Sequence, residues 1–292
     1  MKKAASVANS MKNFRARYGE WAIVTGASSG IGAQFSEKLG EFGINVVLVA
    51  RRIERLNELK QGLAKRHGIE VVSLQADLSR EGCTELLITA CRDLEIGLVV
   101  NNAGTGSPGP FSMSDLQREK DAIRLNCITP VEIIRHFLPR MQTMGRGGII
   151  LVSSLMGFQG VPYMANYSAT KGFLLNFGES LYHECKGTGV DVLVLAPGAT
   201  DTPGKHLHAV DYSKLPISWM TAEDVVGVAL RKLGRKAFVI PGLRNHLMAC
   251  LSGGLWSRGL VQGLMKRLAQ LALPASGVSS APPADGQSGR MT

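Results

Sequence analysis

Seven short, mainly apolar runs alternate along this chain with segments of helical character, and no other feature restricts its fold as much. The runs are Trp21–Thr25, Asn45–Ala50, Glu70–Leu74, Gly97–Asn101, Gly147–Ser153, Val190–Leu195 and Ala237–Ile240. A strand that is apolar at consecutive positions offers no face to water, so both of its faces must be covered. Between the first two runs, Ile31, Phe35, Leu39 and Phe42 recur at helical spacing, and the charged segment IERLNELKQGLAKRH precedes the third. Strands joined by helical crossovers pair in parallel, which predicts one doubly wound α/β sheet of about seven strands with helices on both faces.

The first strand-to-helix junction reads TGASSGIG, with Gly26, Gly30 and Gly32 placed where the chain must turn. Glycine there lets the backbone turn tightly and approach a pyrophosphate seated on the helix N-terminus. The spacing is GxxxGxG, not the GxGxxG of larger dinucleotide-binding domains, but its position in a Rossmann-like unit is the same. Gly26, Ser28, Ser29, Gly30, Ile31 and Gly32 are therefore candidate cofactor-binding residues. An acidic residue at the end of the second strand would hold a ribose 2′-hydroxyl, whereas this chain has Ala50-Arg51-Arg52. A guanidinium fork pairs with a 2′-phosphate, so Arg51 and Arg52 favour NADP(H). The alternative is that both arginines are solvated residues at a helix start.

Six motifs in order carry a family resemblance: TGASSGIG at 25–32, NNAG at 101–104, Asn126 in RLNCITP, Ser154, YSATK at 167–171 and the Pro197-Gly198 pair. Together they resemble the short-chain dehydrogenase/reductase (SDR) family over roughly residues 20–240. The resemblance implies an oxidoreductase acting on a CH–OH or C=O group, with catalytic residues Ser154, Tyr167, Lys171 and Asn126. It also implies that Lys171 contacts a cofactor ribose and that Asn126 anchors a water linking Lys171 to solvent. Asn101, Asn102, Ala103 and Gly104 would line the adenosine side, with Asp77 and Leu78 near the adenine. Pro197, Gly198 and Thr202 would lie at the nicotinamide, with Thr200 competing with Thr202. For Asp77, a helix N-cap ahead of SREGCTELL is the competing assignment.

Elementary chemistry supports the same group. A tyrosine phenol has an ordinary pKa near ~10 and exchanges protons at neutral pH only when a cation stabilises the phenolate. Lys171 follows Tyr167 by four residues and shares its helix face. Ser154, at the end of GIILVSS, would hold the substrate oxygen, while strand alternation turns its rival Ser153 the other way. Tyr163 and Tyr182 lack a lysine four residues on, and His136, His183, His206 and His208 form no metal-ligand pattern, so no metal is expected. Five cysteines (Cys83, Cys91, Cys127, Cys185, Cys250) form no CxxC pair, which points to reduced thiols and a cytoplasmic setting.

The net charge of +10 is concentrated at the two ends: the first twenty residues carry +4, while residues 21–224 carry −2. From Val225 to Ala284 there are eight cations and no acid. No apolar run reaches the roughly 18 to 20 residues of a membrane span, and no nucleic-acid partner is expected. The expected organisation is a basic arm over 1–19, the SDR domain over 20–242, a basic amphipathic helical extension over 243–273 and a disordered tail over 274–292. Gly253 and Gly254 are expected to split the extension into two helices. It suits three settings: peripheral contact with an anionic membrane, a cap on the substrate pocket, or a second subunit. Residues 202–220, rich in Leu207, Val210, Tyr212, Leu215, Pro216, Ile217, Trp219 and Met220, should form a lid over an apolar substrate, joined by Met156, Phe158, Val161 and Tyr163. Core or dimer contacts are the alternative for half of these.

The expectation is an NADP(H)-dependent reduction of an apolar or acyl ketone or aldehyde, in a homodimer or homotetramer. Oxidation of a secondary alcohol by the same site is the alternative within chemistry. A non-catalytic NADP-binding, membrane-associated scaffold is the alternative from another class.

Overall fold

The structure, a computed structural model, describes residues 13–203, 218–250 and 258–272. Most of the lid expected over 202–220 therefore lies outside the described residues, as do His206, His208, the Gly253-Gly254 pair and the tail. The strands are β1 (Trp21–Thr25), β2 (Asn45–Ala50), β3 (Val71–Gln75), β4 (Ile96–Asn101), β5 (Gly147–Val152), β6 (Val190–Leu195), β7 (Thr200–Asp201), β8 (Met220–Thr221) and β9 (Phe238–Val239). Seven form one parallel sheet in the order β3-β2-β1-β4-β5-β6-β9, and β7 pairs with β8 alone. The expected seven-stranded doubly wound α/β fold is thus the observed one, with strand ends shifted by a residue or two.

Helices α1 (13–18), α2 (Gly30–Glu41), α3 (Ile53–His67), α4 (Cys83–Ala90), α5 (Leu116–Ile123), α6 (Thr129–Thr143), α7 (Ala165–Glu184) and α8 (Ala222–Lys232) surround the sheet, followed by α9 (Leu243–Cys250) and α10 (Arg258–Ala272). Consecutive strand residues point to opposite faces, and β1 shows it: Ala22 and Val24 join one core cluster, Trp21 and Ile23 the other. The first cluster packs Phe35, Leu39, Leu56, Val225 and Val226 against the sheet, and the second packs Ile133, Phe137, Leu174 and Leu181. Burial on both faces explains why the strands lack polar alternation. Gly178 in α7 lies where a Cβ would overlap the Val194 side chain, so glycine there lets the helix that carries Tyr167 press directly on β6.

The described end of the basic arm is a docked helix. Phe14 stacks on Phe42 with ring centroids 4.5 Å apart, and Tyr18 is buried with its hydroxyl donating to Asp191 Oδ2 at 2.8 Å. Arg17 grips the same carboxylate with two bonds of 2.6 and 2.9 Å. Burial, then the Asp191 charge, pushes the Tyr18 phenol well above its usual range. Arg17 of α1 thus answers an acid 174 positions away, whereas Arg15 pairs locally with Glu20 at 2.9 Å.

Strand order reverses between β1 and β4, which opens a crevice beyond the carboxyl ends of these two strands. In sheets of this kind ligands bind at such a switch point. The glycine turn follows β1, and NNAG begins at the last residue of β4.

Candidate active site

The turn after β1 is built to bring backbone close to a ligand. Gly26 and Gly30 adopt φ of +67° and +57°, a region that side chains disfavour. A Cβ on Gly32 would overlap the Gly26 carbonyl, and one on Gly30 would stand 2.9 Å from the Thr202 methyl. The cradle is therefore open because these residues lack side chains, and it fits a pyrophosphate at the start of α2. Ile31 turns its side chain toward the core and leaves its backbone at the helix N-terminus. Arg52 Nη2 donates to Ser28 Oγ at 2.9 Å and Ser29 Oγ at 3.0 Å, tying the end of β2 to the turn. Arg51 is exposed, and its guanidinium has no partner among the described residues.

The β4 side is held to the same turn. Thr25 Oγ1 accepts from the backbone N–H groups of Asn102 and Ala103 at 3.0 Å, and Asn102 Nδ2 donates to the Thr25 carbonyl at 2.9 Å. The Asn102 amide is thus spent on the scaffold. Asn101 is buried with Nδ2 lacking an acceptor among the described residues, an orphaned donor at the switch point. Leu78 is core, and its carbonyl accepts from Thr129 Oγ1 at 2.7 Å. Asp77 does not cap α4, where Gly82 is the N-cap; its Oδ1 accepts from Ser79 N at 3.1 Å and Oγ at 2.7 Å, closing a turn. A short carboxylate reaches a backbone N–H two residues on more readily than one six residues away. Thr200 Oγ1 donates to the Gly198 carbonyl at 3.1 Å, whereas the Thr202 side chain faces the glycine turn.

At the end of β5 the two serines divide as strand alternation requires. Ser153 is buried, and its hydroxyl donates to the Lys171 carbonyl at 2.7 Å. Ser154 is half-buried on the other side, accepting from Met156 N at 3.2 Å. Lys171 is only 3% exposed, and its Nζ donates to the Val152 carbonyl at 2.8 Å while lying 5.7 Å from the Tyr167 ring centre. Burial lowers the Lys171 pKa to about 8, opposed by the nearby Cys127 thiol. The same burial pushes Cys127 up to about 11.

Asn126 does not sit in a regular helix: residues Arg124–Ile128 form a π-helical turn between α5 and α6. Turns of this kind are rare and recur at functional sites. The turn holds the wholly buried Asn126 side chain toward β4, where Nδ2 donates to the Thr105 carbonyl at 2.8 Å and Oδ1 accepts from Thr105 N at 3.0 Å. Nδ2 also donates to Thr170 Oγ1 at 2.9 Å, one residue before Lys171. A Cβ on Gly104 would stand 3.0 Å from Lys171 Nζ and 3.2 Å from Asn126 Oδ1, so both atoms flank the same glycine. Three contributors are absent from the sequence-based residue set. Thr105 and Thr170 hold Asn126, and a Cβ on Gly106 would lie 2.6 Å from the Tyr167 ring. The second glycine of NNAGTG was the available signal for the last.

The described parts of the extension pack on this region. In α9, Asn245 is buried, donates to the Pro241 carbonyl at 2.8 Å and stands 2.7 Å from where a Gly198 Cβ would be. Ala249 joins Leu155 and Phe158 on a small cluster around Leu175 and Ile240. In α10, Gln270 Nε2 donates to the Tyr163 hydroxyl at 3.0 Å. Among the described residues no helix is long and apolar enough to cross a membrane, and no group of three metal-ligating side chains occurs.

A phenol set one helical turn from a buried cation, beside a dinucleotide cradle, is the equipment of a nicotinamide-dependent oxidoreductase. Residues 20–210 match the model of the short chain dehydrogenase family, and the chain belongs to that family. It is 35% identical over 241 residues to the 7beta-hydroxysteroid dehydrogenase of Collinsella aerofaciens, a match spanning 80% of this chain and 90% of that one. A solved structure from work on 7beta-hydroxysteroid dehydrogenase stereoselectivity superposes with a TM-score of 0.80 at 32% identity, covering 86% of this chain and 98% of the other. A short-chain dehydrogenase from Sphingobium yanoikuyae in complex with NADPH has a TM-score of 0.70 at 30% identity, with 91% and 98% coverage.

Proposed function

We propose that this protein is an NADP(H)-dependent reductase that converts a bulky apolar ketone to a secondary alcohol, with Tyr167 as the proton donor. The observation that carries the reading is the half-buried Tyr167 one helical turn from a fully desolvated Lys171, beyond the Ser154 end of β5. The nicotinamide, when bound, supplies the hydride. Ser154 Oγ, which already accepts from Met156 N, keeps its own proton to donate to the carbonyl oxygen and orient it. Tyr167 delivers its proton to that oxygen, and the Lys171 ammonium stabilises the phenolate left behind. The Val152 carbonyl and Ser153 hydroxyl fix Lys171 to β5, so the cation stays in place through the cycle. Asn126, held by Thr105 and Thr170, flanks Lys171 across Gly104 and serves the proton path to solvent. In the oxidative direction the same groups run in reverse, with Tyr167 accepting the proton.

The cofactor preference rests on the two arginines after β2. Arg52 is engaged with Ser28 and Ser29, whereas Arg51 is exposed and its guanidinium has no partner among the described residues, which suits a 2′-phosphate. The complex of the Sphingobium relative with NADPH supports the same choice. Replacing Arg51 with Ala is expected to weaken NADPH binding by about tenfold to a hundredfold, a loss of roughly 1.5 to 3 kcal/mol, and to leave NADH within about threefold. Fluorescence titration with both dinucleotides measures this, and equal losses would count against the assignment.

The names of the relatives favour an alicyclic, fused-ring ketone over a short-chain one. Of the settings open to the extension, a cap on the pocket is the one supported by Asn245 at Gly198 and Gln270 at Tyr163. NADPH oxidation against steroid ketones, bicyclic ketones and acyl thioesters tests the whole reading. Turnover of none of these classes by a well-folded protein that binds NADPH would refute it.

A further inference from the structure

Tyr163 stands apart among the described residues as the one non-glycine with positive φ, at 65°. Side chains rarely adopt that conformation, and it persists only where the surroundings hold it. Two contacts from distant segments do so. The Tyr163 carbonyl accepts from Gly109 N at 2.8 Å, and its hydroxyl accepts from Gln270 Nε2 at 3.0 Å. Gly109 belongs to the segment that places Gly106 against the Tyr167 ring, and Gln270 lies near the end of α10. Gln262, two turns earlier in α10, has its Nε2 3.6 Å from where a Cβ on Gly160 would stand. The helix is itself anchored, with Val261 and Ala272 each 3% exposed. Two distant segments, the 106–109 stretch and α10, therefore converge on residues 155–163, the stretch that joins Ser154 to the helix carrying Tyr167.

We propose that α10 is a specificity element for the substrate pocket, acting through a latch in which Gln270 holds Tyr163 and so fixes the 155–163 loop. The inference rests on the reductase reading given above. Tyr163 and Gln270 are positioning residues: neither proton transfer nor cofactor binding involves them. With the latch closed, the loop forms a preset wall against a rigid fused-ring ketone. Opening it removes that preorganisation, which a large rigid substrate needs more than a small one does. Binding of the large substrate therefore suffers while the chemical step is retained.

The test uses the full chain with NADPH and two probes, 2-decalone and cyclohexanone. Gln270→Leu is expected to raise KM for 2-decalone about tenfold with kcat within about twofold, and to change kcat/KM for cyclohexanone less than about twofold. Tyr163→Phe is expected to give the same pattern, and the double variant to add nothing further, because both substitutions remove one bond. Equal losses for both ketones, additive losses in the double variant, or an unchanged KM for 2-decalone would each overturn the latch. Hydrogen exchange provides a second measurement independent of turnover: amides within 155–163 should exchange about tenfold faster in Gln270→Leu. If the parent chain reduces neither probe, the reductase reading fails by itself and exchange still decides the latch, with unchanged protection counting against it.

Discussion

Tyr167→Phe is expected to lower ketone reduction by about three orders of magnitude or more while NADPH binding stays within about threefold. The substitution removes one oxygen from a half-buried ring and leaves its packing against Gly106 intact, so the fold has no reason to change. What disappears is the acid. No other described tyrosine can replace it: Tyr18 is buried with its hydroxyl bound to Asp191, Tyr163 is engaged by Gln270, and Tyr182 lies four turns further along α7 with Lys186 5.3 Å above its ring. Steady-state kinetics alongside dinucleotide titration checks both halves, and comparable turnover in the variant would remove Tyr167 from the mechanism.

Lys171→Met is expected to cost turnover by at least about a hundredfold, because the phenolate loses its stabilising cation. Its effect on stability has a sign that follows from titration. Lys171 has a pKa of about 8 in the folded chain against an ordinary 10.5, since burial disfavours the ammonium. Between those values the unfolded chain binds more protons than the folded one, so the stability of the parent chain rises with pH through that window. Below pH 8 the cost of the buried charge is present in full. Methionine cannot titrate, so the stability difference between parent and variant should change by an amount on the order of a few kcal/mol between pH 8 and pH 10.5, in favour of the parent as pH rises. Chemical denaturation of both chains across that range measures it. A difference independent of pH would mean that Lys171 is not buried as a charge. The site therefore spends stability on reactivity, a common arrangement in enzymes.

The sheet was readable from the chain because each strand is buried on both faces and carries its own apolar run. The boundaries that moved did so for reasons of pairing. Gln75 joins β3 because it stands opposite Ala50, while Glu70 is left outside the ladder, its carbonyl accepting from Val46 N and its own N–H donating to the Asn45 side chain. The α1 helix was not readable: six residues with Phe14 and Tyr18 as its anchors give too little periodicity, and its partner Asp191 lies on β6. Among the site residues, those in compact motifs could be found locally. Asn126 could be singled out, but its partner Thr105 could not, since the bond crosses between a π-helical turn and the end of β4. Asn245 and Gln270 were hidden for a related reason. Each is a polar residue in a helix whose apolar spacing signals only that it packs somewhere, and the identity of the surface it covers is a tertiary fact.

The turn at Arg124–Ile128 gives that stretch a sensitivity of a different kind. A π-helical turn houses one residue more than an α-helix of the same span, and each residue of α-helix advances the side chains by about 100°. Deleting Cys127 would let α5 and α6 merge into one uninterrupted α-helix, more regular than the parent, with the flanking helices kept in phase and only the side chains of the turn itself swung by up to that amount. The two elements would still bury their apolar faces, while the Asn126 side chain, no longer presented by the turn, would lose Thr105. Spelling errors in this stretch are thus read in two ways: exchanged letters alter local packing, whereas one missing letter repairs the backbone and silences the amide.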